Sequence, residues 1–330
     1  MTRPNLIFIV ADDLGYADLG CYDGCDTSFG PVSPVLDALA ACGIRFTQGY
    51  ANSPVCSPTR FALMTARYQY RLRGAAEEPI AAKARGNATL GLPAQHPTLP
   101  SLLRGAGYRT ALIGKWHLGF APHFGPLLSN YDEFFGPMSG GVDCFSHCDS
   151  SGRHDLWQDH AEHWQEGYLT DLLSDQVVRY VESAPQDQPF FISLHCTAPH
   201  WPWETRDDHA EAPTIKDNLF DLDSGSIHTY RRMIHHMDEG VGRLMAALDL
   251  RGVADNTLVV FTSDNGGVDG HEYLFNIPAD ERERANLAPR EPARLAAMRA
   301  DWERWNATMP AVPETAMVSL GDALNDMPQR

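Results

Sequence analysis

Apolar residues in this chain fall into short unbroken runs, separated by longer stretches with helical spacing. Asn5-Leu-Ile-Phe-Ile-Val-Ala11 is a continuous apolar run that ends in Asp12-Asp13, which predicts a strand buried on both faces and feeding a loop. Tyr108 to Ile113, Pro189 to Leu194 and Asn256 to Thr262 predict further strands. Between them, Ser33 to Ala41, Leu99 to Leu103, Tyr168 to Glu182 and Ser226 to Leu248 are spaced as helices, with Gly43 a stop for the first. Arg290 to Met309 predicts a last helix, with Trp302 and Trp305 available for packing. Strands alternating with helices predict an α/β fold with a largely parallel central sheet flanked by helices. Phe120 to Trp164, rich in Gly, His, Asp and Ser, reads as long loops over one end of that sheet. Open α/β sheets place their ligands at the carboxyl ends of the strands.

With 330 residues, the chain can bury a large core as one big domain or two. Its net charge of −17 argues against nucleic acid or an anionic membrane as partner. An anionic substrate therefore needs a locally positive pocket. Only Lys83, Lys115 and Lys216 supply lysines, so each can be weighed singly. Met1-Thr-Arg-Pro leads directly into the first apolar run, which is too short for a secretory leader, and no run reaches membrane-spanning length. The expectation is a cytoplasmic protein without a membrane partner. Seven cysteines, an odd number, argue against a disulfide framework in that setting.

Four motifs carry candidate chemistry. The first is Cys56-Ser-Pro-Thr-Arg60. Each residue has an ordinary reading alone: a small buried hydrophobe, a helix-opening proline, a surface charge. If a helix starts near Pro58, however, Cys56 sits where unpaired N–H groups and the helix dipole favour an anion. Arg60 then projects from the first turn and can reach back toward Cys56 to hold an oxyanion. The second is the pair Asp12-Asp13 and Asp264-Asn265, each after a strand; four oxygen donors there can converge on a hard cation. The third is Gly114-Lys-Trp-His-Leu-Gly119, where Lys115 and His117, two apart on an extended segment, point the same way. The fourth is Thr197-Ala-Pro-His-Trp-Pro202, with His200 just past a strand. His195 within that strand, and His235 and His236 on the long helix, read as structural.

Cys56 to Arg60, followed by Phe61-Ala-Leu-Met-Thr-Ala-Arg67, resembles the maturation and active-site motif of type I sulfatases, of the alkaline phosphatase superfamily. Ala66 stands where glycine is usual in that family. The resemblance implies arylsulfatase-type hydrolysis of a small-molecule or saccharide sulfate ester. It implies that a formylglycine-generating maturation enzyme oxidises Cys56 to formylglycine, whose hydrated aldehyde attacks sulfur. It implies Ca2+ held by Asp12, Asp13, Asp264, Asn265 and the modified residue 56. Lys115 is then placed on the sulfate and nucleophile, His117 on the nucleophile's hydroxyl, and His200 on the leaving-group oxygen. A substrate role for Ser139, in Phe135-Gly-Pro-Met-Ser-Gly-Gly141, has thin support.

The resemblance runs from Asn5 to Gly267 and then breaks. Sulfatases continue into a glycine-rich segment with a further lysine, whereas no lysine follows Lys216 here. Residues 271 to 287 instead resemble the far C-terminal part of bacterial sulfatases, a strand and turn before a terminal helix. The expectation is a catalytic domain over 1–267 and a remnant of the C-terminal subdomain over 268–330, joined by an internal deletion. Loss of the distal lysine predicts a slower reaction, and loss of strands predicts an exposed sheet edge. Phosphate or phosphonate ester hydrolysis, and an inactive remnant that still binds metal, are the competing expectations.

Overall fold

The computed structural model describes residues 3–22, 30–72, 79–210, 212–215, 225–266, 274–276, 279–280 and 285–310. Seven strands form one sheet: β1 (Asn5–Ala11), β2 (Arg109–Gly114), β3 (Glu133–Pro137), β4 (Leu156–Gln158), β5 (Ala161–Glu162), β6 (Phe190–His195) and β7 (Thr257–Ser263). Their order is β5-β4-β3-β2-β6-β1-β7. Every pairing from β3 to β7 is parallel, while β4 and β5 run antiparallel at one edge. Around the sheet lie α1 (Pro34–Cys42), α2 (Cys56–Thr65), α3 (Leu99–Gly105), α4 (Leu169–Ser183), α5 (Ala212–Ile215), α6 (Ile227–Leu250) and α7 (Pro292–Asn306).

The inner parallel strands β2, β3 and β6 are buried on both faces because helices cover both, as the unbroken apolar runs require. Ile7, Ile9, Ala111, Ile113, Ile192 and Leu194 face a cluster completed by α4 and α6. Leu112 and Phe191 face the opposite cluster, with Phe61, Met64, Trp116 and Phe134. The long helix α6 is capped by Ser226, whose side chain accepts the Thr229 N–H. From its middle, the Asp238 carboxylate accepts the Val35 and Leu36 N–H groups at 3.0 and 2.8 Å. That contact satisfies donors left open at the start of α1 and fixes α1 on α6.

Register positions the site. Val10 and Gly114 both pair with His195, and Ala11 pairs with Ser263. The carboxyl ends of β1, β2, β6 and β7 are thus level, and Asp12, Lys115, Cys196 and Asp264 leave the sheet side by side. Gly114 is required where β2 meets β6. Its φ is +112°, and a Cβ there would lie 1.8 Å from the His195 carbonyl oxygen.

The expected strands and helices of the α/β core are present, with ends displaced by one or two residues. The reading of Phe120 to Trp164 as loops needs correction, since β3, β4 and β5 lie within it. Glu133-Phe-Phe-Gly-Pro137 is short and ends in two strand breakers, so its pattern is weak; burial against β2 makes it a strand. The strand expected near residue 271 lies in a segment only partly within the described residues, as do Cys25 and Lys216 entirely outside them. Helix α7 forms as expected but buries no residue of its own. Trp305 meets Tyr68 edge-on at 4.6 Å, and Trp302 stays half exposed. No described helix is long and apolar enough to cross a membrane.

Along β7 the side chains of Leu258 and Val260 remain 56% and 43% exposed, unlike any residue of β1, β2 or β6. Ile9→Ala, in the fully buried centre of β1, is expected to cost about 2–5 kcal/mol in denaturant unfolding. Leu258→Thr should shift stability by less than about 1 kcal/mol, because it trades one strand former for another on a half-open face.

Candidate active site

Helix α2 begins at Cys56 itself, with Val55 as an extended N-cap that offers no side-chain hydrogen bond. Cys56 is buried beside the open N–H groups of the first turn. Its neighbours fasten the turn. Ser57 Oγ accepts the Ile80 N–H at 3.0 Å, and Thr59 Oγ1 donates to the Ser53 carbonyl at 2.8 Å. The helix closes on Ala66 with φ +52°, a left-handed cap that glycine adopts at lower cost.

Arg60, with no exposed side-chain surface, projects from α2 into the row of strand ends. Its Nε donates to Asp264 Oδ2 at 2.9 Å and Nη2 to Asp12 Oδ1 at 3.1 Å. Nη1 lies 3.1 Å from the Lys115 carbonyl and 3.2 Å from His195 Nδ1. The hydrogen bonds of Arg60 thus go to the aspartates, the Lys115 carbonyl and His195, while Cys56 acts on it as a nearby charge. A buried guanidinium must be matched by anions, and the two aspartates supply them. Burial works against its charge, but Asp264 and Asp12 outweigh it and hold Arg60 above its ordinary range.

Lys115 is equally buried, and its Nζ donates to both carboxylate oxygens of Asp12, at 2.8 and 2.6 Å. Two buried cations thus balance two buried anions. Asp12 is pushed up by burial, yet Lys115, His200 and Arg60 together hold it below the usual carboxylate range. Asp264, raised by burial and then by Asp12, is pushed up to about 6 against Arg60 and Lys115. Asp13 turns the other way, with a left-handed φ of 59°. Its carboxylate lies 3.7 Å from Cys56 Sγ, 2.5 Å from Asn265 Nδ2 and 3.6 Å from His200 Nε2.

Cys56 as encoded is a poor nucleophile. Burial drives its thiol well above the ordinary range, and the charges of Asp13, Asp12 and Asp264 add to that against Lys115. A thiol kept protonated at neutral pH does not attack. The sulfur nevertheless shares a compact ligand-bearing cluster. Ligand atoms of Asp12, Cys56 and Asp264, and of Asp13, Cys56 and His200, fall within 4.8 Å of one another in two groups. Asn265 Oδ1 is buried with no hydrogen-bond partner, an orphan that a hard cation would satisfy. Three carboxylates and that amide oxygen fit calcium's preference for oxygen, whereas the sulfur does not.

The two histidines are tautomerically defined by their partners. His117 Nε2 lies 2.9 Å from the Ile80 carbonyl, so that nitrogen carries the proton and Nδ1 is the acceptor. Nδ1 is buried without a partner. Burial, then Lys115 and Arg60, keep the ring neutral by lowering its pKa well below the usual histidine value. His117 has φ 56°, and Gly140 packs so closely that a Cβ there would lie 2.4 Å from the ring. His200 Nδ1 contacts the Trp201 carbonyl at 2.5 Å, which leaves Nε2 toward Asp13. Gly141 lies against the His200 ring, where a Cβ would come within 3.1 Å.

All nine sequence-predicted residues meet here: Cys56, Arg60, Lys115, His117, His200, Asp12, Asp13, Asp264 and Asn265. His195 joins them through Arg60. It reads from sequence as an interior histidine, and burial and then Arg60 do push it down to about 3. Its contact with Arg60 is invisible in sequence because it depends on the level register of β2 and β6. Ile80 carries no sequence signal, and Gly140 and Gly141 stand out only as the end of the Ser139 motif. His235 and His236 lie on α6, as expected of structural residues. Ser139 Oγ donates to the Gly141 carbonyl at 3.3 Å, and its N–H donates to Asp155 at 2.7 Å.

Comparison with known proteins matches residues 4–287 to the family described as Sulfatase. Mouse arylsulfatase J is 31% identical over 274 residues, which cover 81% of this chain and 43% of the relative. Human N-acetylgalactosamine-6-sulfatase is 30% identical over 280 residues, covering 80% of this chain and 50% of the relative. The chain spans about half the length of these curated relatives. The solved structure of Ps i-CgsB in complex with k-i-k-neocarrahexaose superposes with a TM-score of 0.76 at 24% identity, covering 98% of this chain and 97% of that one. That likeness concerns the fold.

Arg60→Met is expected to cost about 3–5 kcal/mol, since it leaves Asp12 and Asp264 buried without their shared cation. Arg60→Lys should recover little, because one ammonium cannot reproduce the fork that spans both carboxylates. Urea unfolding of the two variants beside the parent checks both statements.

Proposed function

The chain belongs to the sulfatase family, and we propose that it hydrolyses sulfate esters of small molecules or saccharides at Cys56. The observation that carries this reading is the convergence of Asp12, Asp13, Cys56, Asp264 and His200 at the carboxyl end of the sheet. The names of the relatives support a sulfate ester, and the hexaose bound by Ps i-CgsB supports a saccharide as its alcohol part.

Were Cys56 converted to formylglycine by a maturation enzyme, its hydrated aldehyde would supply one hydroxyl for attack on sulfur and a second for release of sulfate. Asp12, Asp13, Asp264 and Asn265 would hold calcium, whose charge orients and polarises a sulfate group when bound. The chain's own residues do the rest. Lys115 adds a buried positive charge beside residue 56, and the start of α2 directs N–H groups at an anion there. His117 Nδ1, neutral and unpartnered, accepts a proton from a hydroxyl at position 56. His200, with Nδ1–H held on the Trp201 carbonyl, donates from Nε2 to the departing oxygen as the imidazolium. Arg60 holds Asp12 and Asp264 in place instead of binding sulfate.

Phosphate or phosphonate ester hydrolysis by the same groups is the second reading, since nothing in this donor set distinguishes the two tetrahedral anions. The test is turnover of matched aryl sulfate and aryl phosphate by protein co-produced with a formylglycine-generating enzyme, with calcium present. Sulfate turnover abolished by Cys56→Ala and cut at least about 100-fold by His117→Ala is expected. Faster turnover of the phosphate would favour the second reading. Absence of turnover in protein whose Cys56 peptide carries the aldehyde would identify an inactive remnant. Calcium binding is checked apart from activity. Calcium at about 100 times its dissociation constant should stabilise the fold by about 2.7 kcal/mol, and Asp13→Asn should abolish most of that gain.

A further inference from the structure

Beyond the site, one pair of acids stands without any cation. Asp143 and Glu204 are both fully buried, and neither forms an ion pair among the described residues. Each carboxyl group has one oxygen served by the backbone. Asp143 Oδ1 accepts the Phe145 and Ser146 N–H groups, at 3.1 and 2.5 Å, and Glu204 Oε2 accepts the Cys144 N–H at 2.9 Å. Each also has one buried oxygen with no donor, Asp143 Oδ2 and Glu204 Oε1. The two side chains lie within reach of each other, joined through the Cys144 N–H beside Asp143, with no donor between their free oxygens while both are ionised. A carboxylate cannot donate, so a bond between the two free oxygens requires a proton on one of the pair.

We propose that Asp143 and Glu204 share one proton, held on Glu204 Oε1 and directed at Asp143 Oδ2. This bond satisfies both orphan oxygens at once and removes one of two adjoining buried charges. It joins two segments that meet at the candidate active site. Glu204 lies four residues beyond His200, and Asp143 lies two beyond Gly141, which packs on the His200 ring. Glu204 is therefore a positioning residue for His200, a role that rests on the sulfatase reading above. The shared proton itself does not depend on that reading.

The surroundings favour the neutral acid. Burial, and then the charge of Asp143, push Glu204 up to about 8. Cys144 faces both carboxyls, and burial and Glu204 keep its thiol protonated. Tyr168, from the start of α4, faces Glu204 and Cys144 with its hydroxyl also held neutral by burial. Asp171 and Asp208 add only negative charge nearby. His147 faces Asp143 but burial pushes it down to about 4. The closest arginine on this segment, Arg206, is bound to Asp171 and Glu239.

A proton retained by the folded state and lost by the unfolded chain makes stability fall as pH rises. The window runs from the ordinary glutamate value of 4.5 to about 8. The experiment measures the folding equilibrium of the parent protein and of Glu204→Gln from pH 5 to 9. The Gln amide can donate to Asp143 and its oxygen can accept from Cys144, with no proton to lose. Relative to the variant, the parent's equilibrium constant should fall about tenfold per pH unit up to about pH 8 and then level off. Asp143→Asn, which gives Glu204 a donor and lets it ionise, should flatten the same slope and serves if Glu204→Gln fails to fold. Amide exchange across 141–148 and 197–206 should accelerate in the parent above pH 8, beyond the intrinsic rise, and not in Glu204→Gln. The alkaline limb of turnover on an aryl sulfate should move with it.

A pH-independent difference between parent and variant would overturn the proposal. So would a loss in Glu204→Gln at every pH that chelator reproduces in the parent, because the pair would then hold a cation. If parent protein whose Cys56 peptide carries the aldehyde has no turnover at any pH while the stability slope is present, the sulfatase reading fails and the shared proton stands.

Discussion

The placement of one guanidinium governs this structure. Arg60 leaves the first turn of α2 and spends its donors on Asp264, Asp12, the Lys115 carbonyl and His195, which lie at the ends of β7, β1, β2 and β6. A buried charge costs several kcal/mol unless it is fully paired, so none of these partners can shift alone. Asp12 is held from its other side by Lys115, and the four charges cancel. What remains on the open side is the part that can do chemistry: Asp13, Asn265 Oδ1, Cys56, His117 Nδ1 and His200 Nε2. The closed lattice beneath fixes where these groups stand.

This division explains what could be read from the sequence. The strands announced themselves because helices cover both faces of the sheet, which needs uninterrupted apolar runs. The motif residues were legible because local geometry delivers them: Cys56 by the start of a helix, Asp12 and Asp264 by strand ends, His200 by the turn after β6. The direction of Arg60 was not legible, since spacing along α2 points it at residue 56 while charge balance across the sheet points it at the aspartates. The roles of His195 and Ile80 depend on register between distant segments, and no local pattern encodes that. β3 escaped because its five residues carry a glycine and a proline, and only the buried place beside β2 makes them a strand.

The two ends of the sheet differ in how complete they are. Every contact described around Cys56 comes from residues between Asp12 and Gly266, so the charge lattice closes within the sheet and its nearest loops. β7, by contrast, leaves Leu258 and Val260 half exposed, and α7 touches the body through Trp305 and Tyr68 while burying no residue of its own. The curated relatives are about twice as long as the part that matches.

That asymmetry puts weight on His200. In the proposed reaction the departing oxygen takes its proton from one imidazole, and the imidazole depends on its loop. The loop is held by Gly141 against one side of the ring and, four residues on, by Glu204 against Asp143. A buried acid pair without a cation is a costly way to fasten two segments unless a proton is shared between them. Once the proton is there, one buried negative charge remains where there would have been two, and the single bond between the two carboxyls fastens the segments. A cation in that place would have competed with the imidazolium on which the leaving group relies.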